Sequence, residues 1–318
     1  MSQVQTVTGP IDAGELGLTL VHEHFRTTDE AVRFQWPHAY DEDAEWEAAL
    51  ADAKAVAAHG VKTVVEPSAM FLNRDVSFSK RVAEESGLQI VVCTGIYTYD
   101  HLPQFLANRS EDQIADLFVH DIEQGIQGTD VKAAFIKCAC DEPGMLPGVE
   151  KVHRAAARAS VRTGLPIMAH SRPANRTGLD QMRIFEEEGV DPARVQIAHT
   201  GDTDDLDHIE ELLAHGPWIG LDRYGLDLFL PIEPRNATVL ALLERGYADR
   251  MFLSQDYCST IDWFPAEVQE ALKASEVPKW SMTVLFEEVI PALKEGGMTD
   301  EQLETMMVDN PRRWLVGD

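Results

Sequence analysis

Short β-branched runs alternate with longer segments of helical period along the whole 318-residue chain, and this alternation limits the fold more than any other feature. The strand candidates are Leu18–Val21, Val61–Val65, Gln89–Cys93, Ala133–Ile136, Pro166–Ala169, Val195–Ala198, Trp218–Leu221 and Met251–Leu253. Between them lie helix candidates with charged outer faces at 45–59, 76–87, 114–126, 149–164, 179–189, 205–216 and 236–246. Several close on glycine, the residue that most readily takes the left-handed backbone at a helix end. Thr299 and Gln302 are spaced as a capping box before 301–309, and Pro311 is expected to reset the chain. Strand then helix, repeated eight times, is the order of a closed parallel barrel. The expected fold class is α/β: a single (β/α)8 TIM barrel domain over 1–318, with its active site at the C-terminal ends of the strands. A doubly wound open sheet is the competing architecture, and the lack of a GxGxxG after the first strand weakens it. No Ser/Gly tract, Pro-rich stretch or charge block divides the chain.

Acidic side chains number 54 against 27 basic ones, a formal charge of −27. Such a chain lacks a basic groove for phosphates or for an anionic bilayer, so no nucleic acid and no membrane is expected as partner. Hydrophobic residues make up 44 %, enough for a packed core and too many for a disordered protein. No apolar run approaches the roughly 18 residues of a spanning helix. The first residues show no charged region followed by an apolar stretch, so no signal peptide is expected. Four scattered cysteines (Cys93, Cys138, Cys140, Cys258) contain no CxxC pair and make no disulfide framework. The expectation is a soluble, reduced, cytoplasmic protein whose excess acid lies on outer helices and loops, as at 41–47 and 202–211.

Polar residues stand where the expected strands end. His22 and His24 form an H-x-H after strand one, and in extended backbone residues two apart share a face, so both imidazoles can reach one metal. A strand-end histidine is also often no more than a hydrogen-bonded side chain. Strand four ends in Lys137, strand five in His170, strand six in His199, and strand eight runs into Asp256. In a barrel these ends converge on one face. His170 and His199 read either as hydrogen-bonded caps of a barrel layer or as ligands. Four of the eleven histidines at strand ends, together with an acid, favour a shared metal site. The other seven (His38, His59, His101, His120, His153, His208, His215) read as surface or packing residues. Imidazole and carboxylate donors suit zinc, cobalt, manganese or iron. Lys137 finishes the apolar run AAFIK, where burial depresses an amine pKa. Two readings stand side by side: a buried lysine paired with Glu66 or Asp256, or a neutral amine that has captured carbon dioxide as a metal-bridging carbamate.

HEH at 22–24, FIK at 135–137, AH at 169–170, AHTGDTDD at 198–205, LDRYGLDLFLP at 221–231, SQDYC at 254–258 and DNPRRWL at 309–315 together resemble the phosphotriesterase-like lactonases. These belong to the amidohydrolase superfamily, and the resemblance spans essentially the whole chain. It implies two divalent metal ions (Zn, Co, Mn or Fe) in a (β/α)8 barrel. His22, His24 and Asp256 would hold one ion, His170 and His199 the other, and N6-carboxylated Lys137 would bridge them together with a hydroxide. It further implies a homodimeric, metal-dependent hydrolase that opens N-acyl-homoserine lactones and other γ/δ-lactones. Organophosphate triesters would be turned over as a side activity. The alternatives are a dedicated phosphotriesterase (aryldialkylphosphatase) or other carboxylesterase on the same barrel, and a binding protein that has lost catalysis. All six ligand positions are filled, which speaks against the last.

Substrate residues of the family also have matches. Tyr97 corresponds to the tyrosine next to the binuclear centre, where true phosphotriesterases have tryptophan. Arg223 matches the arginine that orders the pocket and loop eight. Cys258, Ile261 and Trp263 fall on the loop that walls an acyl-chain channel, Leu226 and Phe229 on a lactonase-like loop seven, and Leu72 after strand two. The plainer reading is packing for the aromatic residues, and an ion pair with Asp222 or Asp256 for Arg223. The connection from Tyr257 to about Lys279 is long for a barrel, which favours a lid or pocket role. Departures from the family are Gln255 for histidine, Glu66 for aspartate, Phe71 and Asn73 in a stretch normally richer in glycine, and Met168 and Ala198 for Thr and Gly. None removes a ligand; they bear on substrate range and metal preference. In the implied chemistry the metal of His170 and His199 polarises the carbonyl, and the bridging hydroxide attacks it. Tyr97 places the carbonyl oxygen, and Asp256 moves the proton to the leaving alkoxide.

Overall fold

The computed structural model describes residues 2–317 and contains all eight expected strands. They are β1 (Thr19–Leu20), β2 (Thr63–Glu66), β3 (Gln89–Gly95), β4 (Phe135–Ala139), β5 (Ile167–His170), β6 (Val195–Ala198), β7 (Trp218–Leu221) and β8 (Met251–Leu253). Each pairs in parallel with the next in chain order, as a TIM barrel requires. Strands covered on both faces must be apolar throughout, which is why these runs show little alternation. Parallel neighbours need a crossover, and helices supply it. The helices Glu42–Ala58, Val76–Ser86 and Glu111–Glu123 start on the side chains of Asp41, Asp75 and Ser110, which accept from free backbone N–H groups of the first turn. Val76–Ser86 and Pro147–Thr163 end on Gly87 and Gly164 in left-handed backbone.

The seam of the barrel is closed by residues of the expected site. β8 and β1 lie at the two ends of the hydrogen-bonded order. Just beyond them Tyr257 pairs in parallel with Glu23, and Cys258 with His24. Asp256 N donates to His22 O at 3.0 Å and Ser259 N to His24 O at 2.9 Å.

Alternate residues of the wall point inward and pack with one another: Val65, Val91, Phe135, Met168, Ala198 and Phe252. Met168 and Ala198, two of the departures, are thus barrel-interior residues. Trp314, fully buried on the helix Asn310–Val316, joins this cluster, with its ring 5.5 Å from Phe135 and 5.9 Å from Phe252. So does Val4, from an antiparallel hairpin of Gln3–Thr6 and Gly9–Asp12. That hairpin lies outside the expected strands, because only Val4 and Thr6 are buried along its first arm. The capping box at Thr299 is formed. Pro311 does not reset the chain; the helix runs unbroken from Asp300 to Val316, and the proline stands just past a π-turn at Thr305–Asp309, a bulge in the regular hydrogen-bond ladder.

Two further differences concern the mouth. β4 runs on to Ala139, so Lys137 is its third residue rather than its end, on the same inward face as Phe135. Gly95 lets β3 close against it: with φ at +127°, a Cβ there would stand 1.9 Å from Lys137 O. The long connection after β8 folds a helix of its own, Ala266–Ser275.

Candidate metal centre

Four imidazoles, a lysine and an aspartate meet at the C-terminal mouth. His22 Nε2 lies 3.2 Å from Lys137 Nζ and 3.4 Å from Asp256 Oδ1. His24 Nε2 is 3.2 Å from the same oxygen, and His199 Nε2 is 3.8 Å from Asp256 Oδ2. The rings of His170 and His199 meet edge to face at 4.4 Å. Among the described residues, His22, His199 and Asp256 each offer one donor atom within 4.8 Å of the others, a spacing that suits one ion; His24 and His170 stand beside this trio. His199 and Asp256 hold left-handed backbone, with φ of 65° and 50°. Such backbone in a residue with a side chain concentrates at functional sites.

The far edges of these rings explain their aim. Asp222, immediately after β7, accepts from His22 Nδ1 at 2.9 Å, from His199 Nδ1 at 3.0 Å and from His199 N at 2.7 Å. An ionised carboxylate only accepts, so both imidazoles carry their hydrogen on Nδ1 and turn the Nε2 lone pair to the centre. His24 Nδ1 is held by Ser68 Oγ at 2.8 Å. Burial lowers His22 to about 4 and takes His199 well below 6.5, so both remain neutral, as metal ligands must. Burial opposes ionisation of Asp222, but His199 and His22 outweigh it and hold the acid well below the usual carboxylate range. Gly220 makes room for it, since a Cβ there would stand 2.3 Å from Asp222 Oδ2. Asp222 does not pair with Arg223. Arg223 donates instead from Nε to Asp256 Oδ2 at 2.9 Å and from Nη1 to Asp202 Oδ2 at 3.0 Å.

Lys137 is wholly buried, and burial pulls its amine down to about 8. Its hydrogen-bond partner is His22 Nε2. The pairing with Glu66 or Asp256 is not formed within 4 Å among the described residues; Glu66 accepts from Ser79 Oγ at 3.1 Å and stands 4.0 Å from His24 Nδ1. A buried amine without a counter-ion beside imidazole and carboxylate donors fits a centre in which that amine becomes a bridging carboxylate. The donor set also fits first-row divalent ions.

Asp141, Tyr99, Gln181 and Glu23, which the sequence does not single out, support this centre together with Tyr97 and Gln255. His170 Nδ1 meets Tyr97 Oη at 3.2 Å and its Nε2 meets Asp141 Oδ2 at 2.6 Å, while Tyr97 also bonds Tyr99. Gln181 Nε2 donates to His170 O at 2.7 Å and reaches His153 Nε2 at 3.0 Å, so one of the histidines read as packing contacts the centre through a single side chain. Glu23, fully buried, accepts from Ser254 Oγ at 2.7 Å, Gln255 N at 3.1 Å and Tyr257 N at 2.9 Å, which braces the turn bearing Asp256. Gln255 bonds Met282 O, and its carbonyl oxygen accepts from Trp280 Nε1 at 3.0 Å, tying the end of β8 to the segment that follows the extra helix. The signal for Asp222 was present in kind: an acid one residue past a strand, like Asp256.

A cavity of about 420 Å³ opens over the centre. Leu72, Tyr97, Arg223, Leu226, Phe229, Cys258, Ile261 and Trp263, every residue expected at the substrate, lie in its wall, while buried Lys137 lies outside the lining. Arg223 stacks over the Phe229 ring at 4.5 Å. Burial pushes the Cys258 thiol far up, so it lines the pocket without nucleophilic character. The helix Ala266–Ser275 adds Gln269, Leu272 and Lys273, which were not expected there.

A (β/α)8 barrel with imidazoles and a carboxylate gathered at its C-terminal mouth defines the class: a metal-dependent hydrolase. Residues 2–315 match the Phosphotriesterase family, and the chain belongs to that family. It is 50 % identical over 305 residues to a protein of Saccharolobus solfataricus named aryldialkylphosphatase, covering 96 % of each chain. It is 44 % identical to a phosphotriesterase homology protein of Mycobacterium tuberculosis, covering 98 % of this chain and 97 % of the relative. The solved structure of the phosphotriesterase from Mycobacterium tuberculosis superposes with a TM-score of 0.94 over 98 % of both chains, at 44 % identity. Among the described residues no helix is long and apolar enough to cross a membrane.

Proposed function

We propose that this hydrolase is a two-metal lactonase that opens N-acyl-homoserine lactones and related γ/δ-lactones, with slower hydrolysis of organophosphate triesters. The observation that carries the reading is the largely apolar cavity opening directly onto Tyr97, Arg223 and Asp256. A neutral cyclic ester with an apolar tail matches that wall, and its ring reaches the polar floor. His22, His24 and Asp256 would hold one ion and His170 and His199 the other, with carboxylated Lys137 as a further ligand shared between them. When bound, a pair of zinc, cobalt, manganese or iron ions supplies Lewis acidity and a water of lowered pKa.

The chain's own side chains do the rest. Burial, with Tyr99 beside it, raises Tyr97 well above 10, so its hydroxyl stays a donor and orients the carbonyl oxygen of the substrate. Burial works against ionisation of Asp256, yet its surroundings, the Arg223 guanidinium among them, hold it well below the usual range; it is therefore a carboxylate, free to take up a proton and return it to the leaving alkoxide. Arg223 remains charged and fixes Asp256 Oδ2 without relaying protons. The apolar wall keeps bulk water from the reacting carbonyl. A homodimer in the cytoplasm belongs to the same proposal.

A dedicated phosphotriesterase is the second reading, favoured by the name of the 50 % identical relative. One preparation of measured metal content, assayed on paraoxon and on lactones from short γ-lactones to long-chain acyl-homoserine lactones, decides between them. A best-lactone kcat/KM at least about tenfold above that for paraoxon, a barrier difference of about 1.4 kcal/mol, supports the lactonase. The reverse order overturns it.

A further inference from the structure

The cavity wall formed by the helix Ala266–Ser275 differs chemically from the rest. Gln269 and Lys273 are four residues apart, which places them on one helix face, and both line the cavity beside Leu272, Val277 and Trp280. The floor residues are buried, whereas Gln269 is half-buried and Lys273 exposed, so this wall stands at the mouth. Other polar groups of the lining are committed elsewhere. Arg223 is paired with Asp256 and Asp202, Trp280 Nε1 donates to Gln255 O, and Thr27 Oγ1 donates to Cys258 Sγ. Lys273 Nζ donates to Tyr257 Oη at 3.0 Å and lies 5.1 Å from the centre of that ring. Among the described residues no carboxylate forms an ion pair with it within 4 Å; Asp52 is the acid whose field it shares. An ammonium carries three donors, so two remain. The Gln269 amide makes no side-chain hydrogen bond among the described residues.

An ammonium with donors to spare and an amide N–H one turn apart, at the end of an apolar cleft, are matched by a carboxylate. The protein's charge of −27 repels anions at long range, so such a pair has its effect only on an acid already delivered by an apolar chain. We propose that Lys273 and Gln269 form a carboxylate subsite, and that the preferred substrates are lactones whose acyl tail ends in an acidic group. This rests on the lactonase reading, since the tail must run from the ring at the metal centre to the mouth. A methyl-ended tail of equal length fills the same apolar wall and leaves the two donors to water.

The test compares ω-carboxyacyl-homoserine lactones with methyl-ended acyl-homoserine lactones of equal length, over a series of lengths, on the metal-loaded enzyme. The readout is the ratio of kcat/KM, acid-ended over methyl-ended, in wild type, Lys273→Met and Lys273→Arg. Lys273→Met is expected to lower that ratio about fivefold at the best length, the scale of a partly exposed ion pair. Lys273→Arg is expected to keep it. Calorimetric binding of the corresponding cyclopentylamides, whose carbocycle has no ester bond to cleave, should follow the same order. If lactones turn over and the ratio is the same in wild type and Lys273→Met at every length, the subsite is overturned while the lactonase reading stands. If no lactone turns over but the acid-ended amide binds in a Lys273-dependent way, the subsite stands and the lactonase reading falls.

Discussion

Replacing Asp222 by asparagine removes the charge that sets the tautomer of two imidazoles at once. Oδ1 of Asp222 accepts twice from His199, at 2.7 and 3.0 Å, and Oδ2 accepts once from His22, at 2.9 Å. Asparagine keeps one acceptor oxygen, and the two His199 donors hold it. The amide nitrogen then faces His22 Nδ1 and donates to it. His22 must accept there and carry its hydrogen on Nε2, the atom that looks toward Lys137 Nζ and Asp256 Oδ1. An imidazole nitrogen bearing hydrogen has no lone pair for a metal.

Loss of a group that orients a metal ligand typically costs about 10–100-fold in metal affinity. Here one ligand is turned to the wrong tautomer and a buried charge-assisted hydrogen bond goes with it, so the upper end applies: about 100-fold, or ~2.7 kcal/mol. The assay titrates metal-free wild type and Asp222→Asn with Zn²⁺ against a chromophoric chelator, and thermal melts of both apoproteins confirm folding. A folded Asp222→Asn that binds zinc with wild-type affinity and stoichiometry would refute the tautomer argument.

Other expectations follow from the same geometry. Asp256→Asn removes the proton acceptor, so kcat for lactones should fall by at least about 100-fold with the circular-dichroism melt retained; wild-type-like hydrolysis would sink the assignment. Lys137→Ala should bind metal more weakly and regain part of its metal content when acetate is added; no response to any small carboxylate would count against a bridging carboxylate at that position. Burial holds His153 at about 4 in the folded chain. The unfolded imidazole titrates near 6.5, so the unfolded state binds more protons between those values, and stability should fall as pH drops from about 6.5 toward 4, by about 1.4 kcal/mol per pH unit. His153→Gln should show a shallower decline in urea melts across that window, and an unchanged slope would contradict the burial argument. For lactones with neutral tails, kcat/KM should vary little with ionic strength, because the −27 lies on the outer surface and the substrate is uncharged; a steep salt dependence would oppose this.

The strands are legible in the sequence because each is covered on both faces, and a short apolar run such as Val195–Ala198 or Met251–Leu253, followed by a charged helical segment, is what a fully covered parallel strand requires. The candidate ligands are legible for a related reason: in a parallel barrel the residues at the ends of the strands share one face whatever separates them in sequence. That logic reaches His170, His199 and Asp256, and it reaches Asp222 too, but a chain with 54 acids does not reveal which acid faces the imidazoles. Asp222 is set apart by Gly220, whose missing side chain leaves the space for its carboxylate, and that is a three-dimensional fact. Gln269 and Lys273 stayed hidden because the connection after β8 carries a helix that begins at Pro265 without a side-chain cap and buries no residue completely, so no apolar stripe marks it.

The departures from the family pattern show what that pattern encodes. Phe71 and Asn73 occupy backbone with φ of 75° and 57°, which a glycine would adopt without strain. Each costs on the order of 1 kcal/mol in a residue with a Cβ. Glu30 offsets this: its carboxylate accepts from Phe71 N at 2.9 Å and from Asn73 N at 3.0 Å, a charged partner for two N–H groups of one strained turn. Leu72, between them, is thereby held in the cavity wall. Gln255 keeps the end of β8 fastened through Met282 and Trp280, and Asp256 beside it keeps its left-handed turn against His22 O. In each case the residue type has changed and the backbone position has another support. The glycine-rich turn and the histidine before the aspartate are therefore one way of holding positions that this chain holds by a remote carboxylate and an amide. Substrate preference should accordingly follow what those new supports touch, loop two and the segment around Trp280, rather than the proposed ligand positions, none of which is replaced.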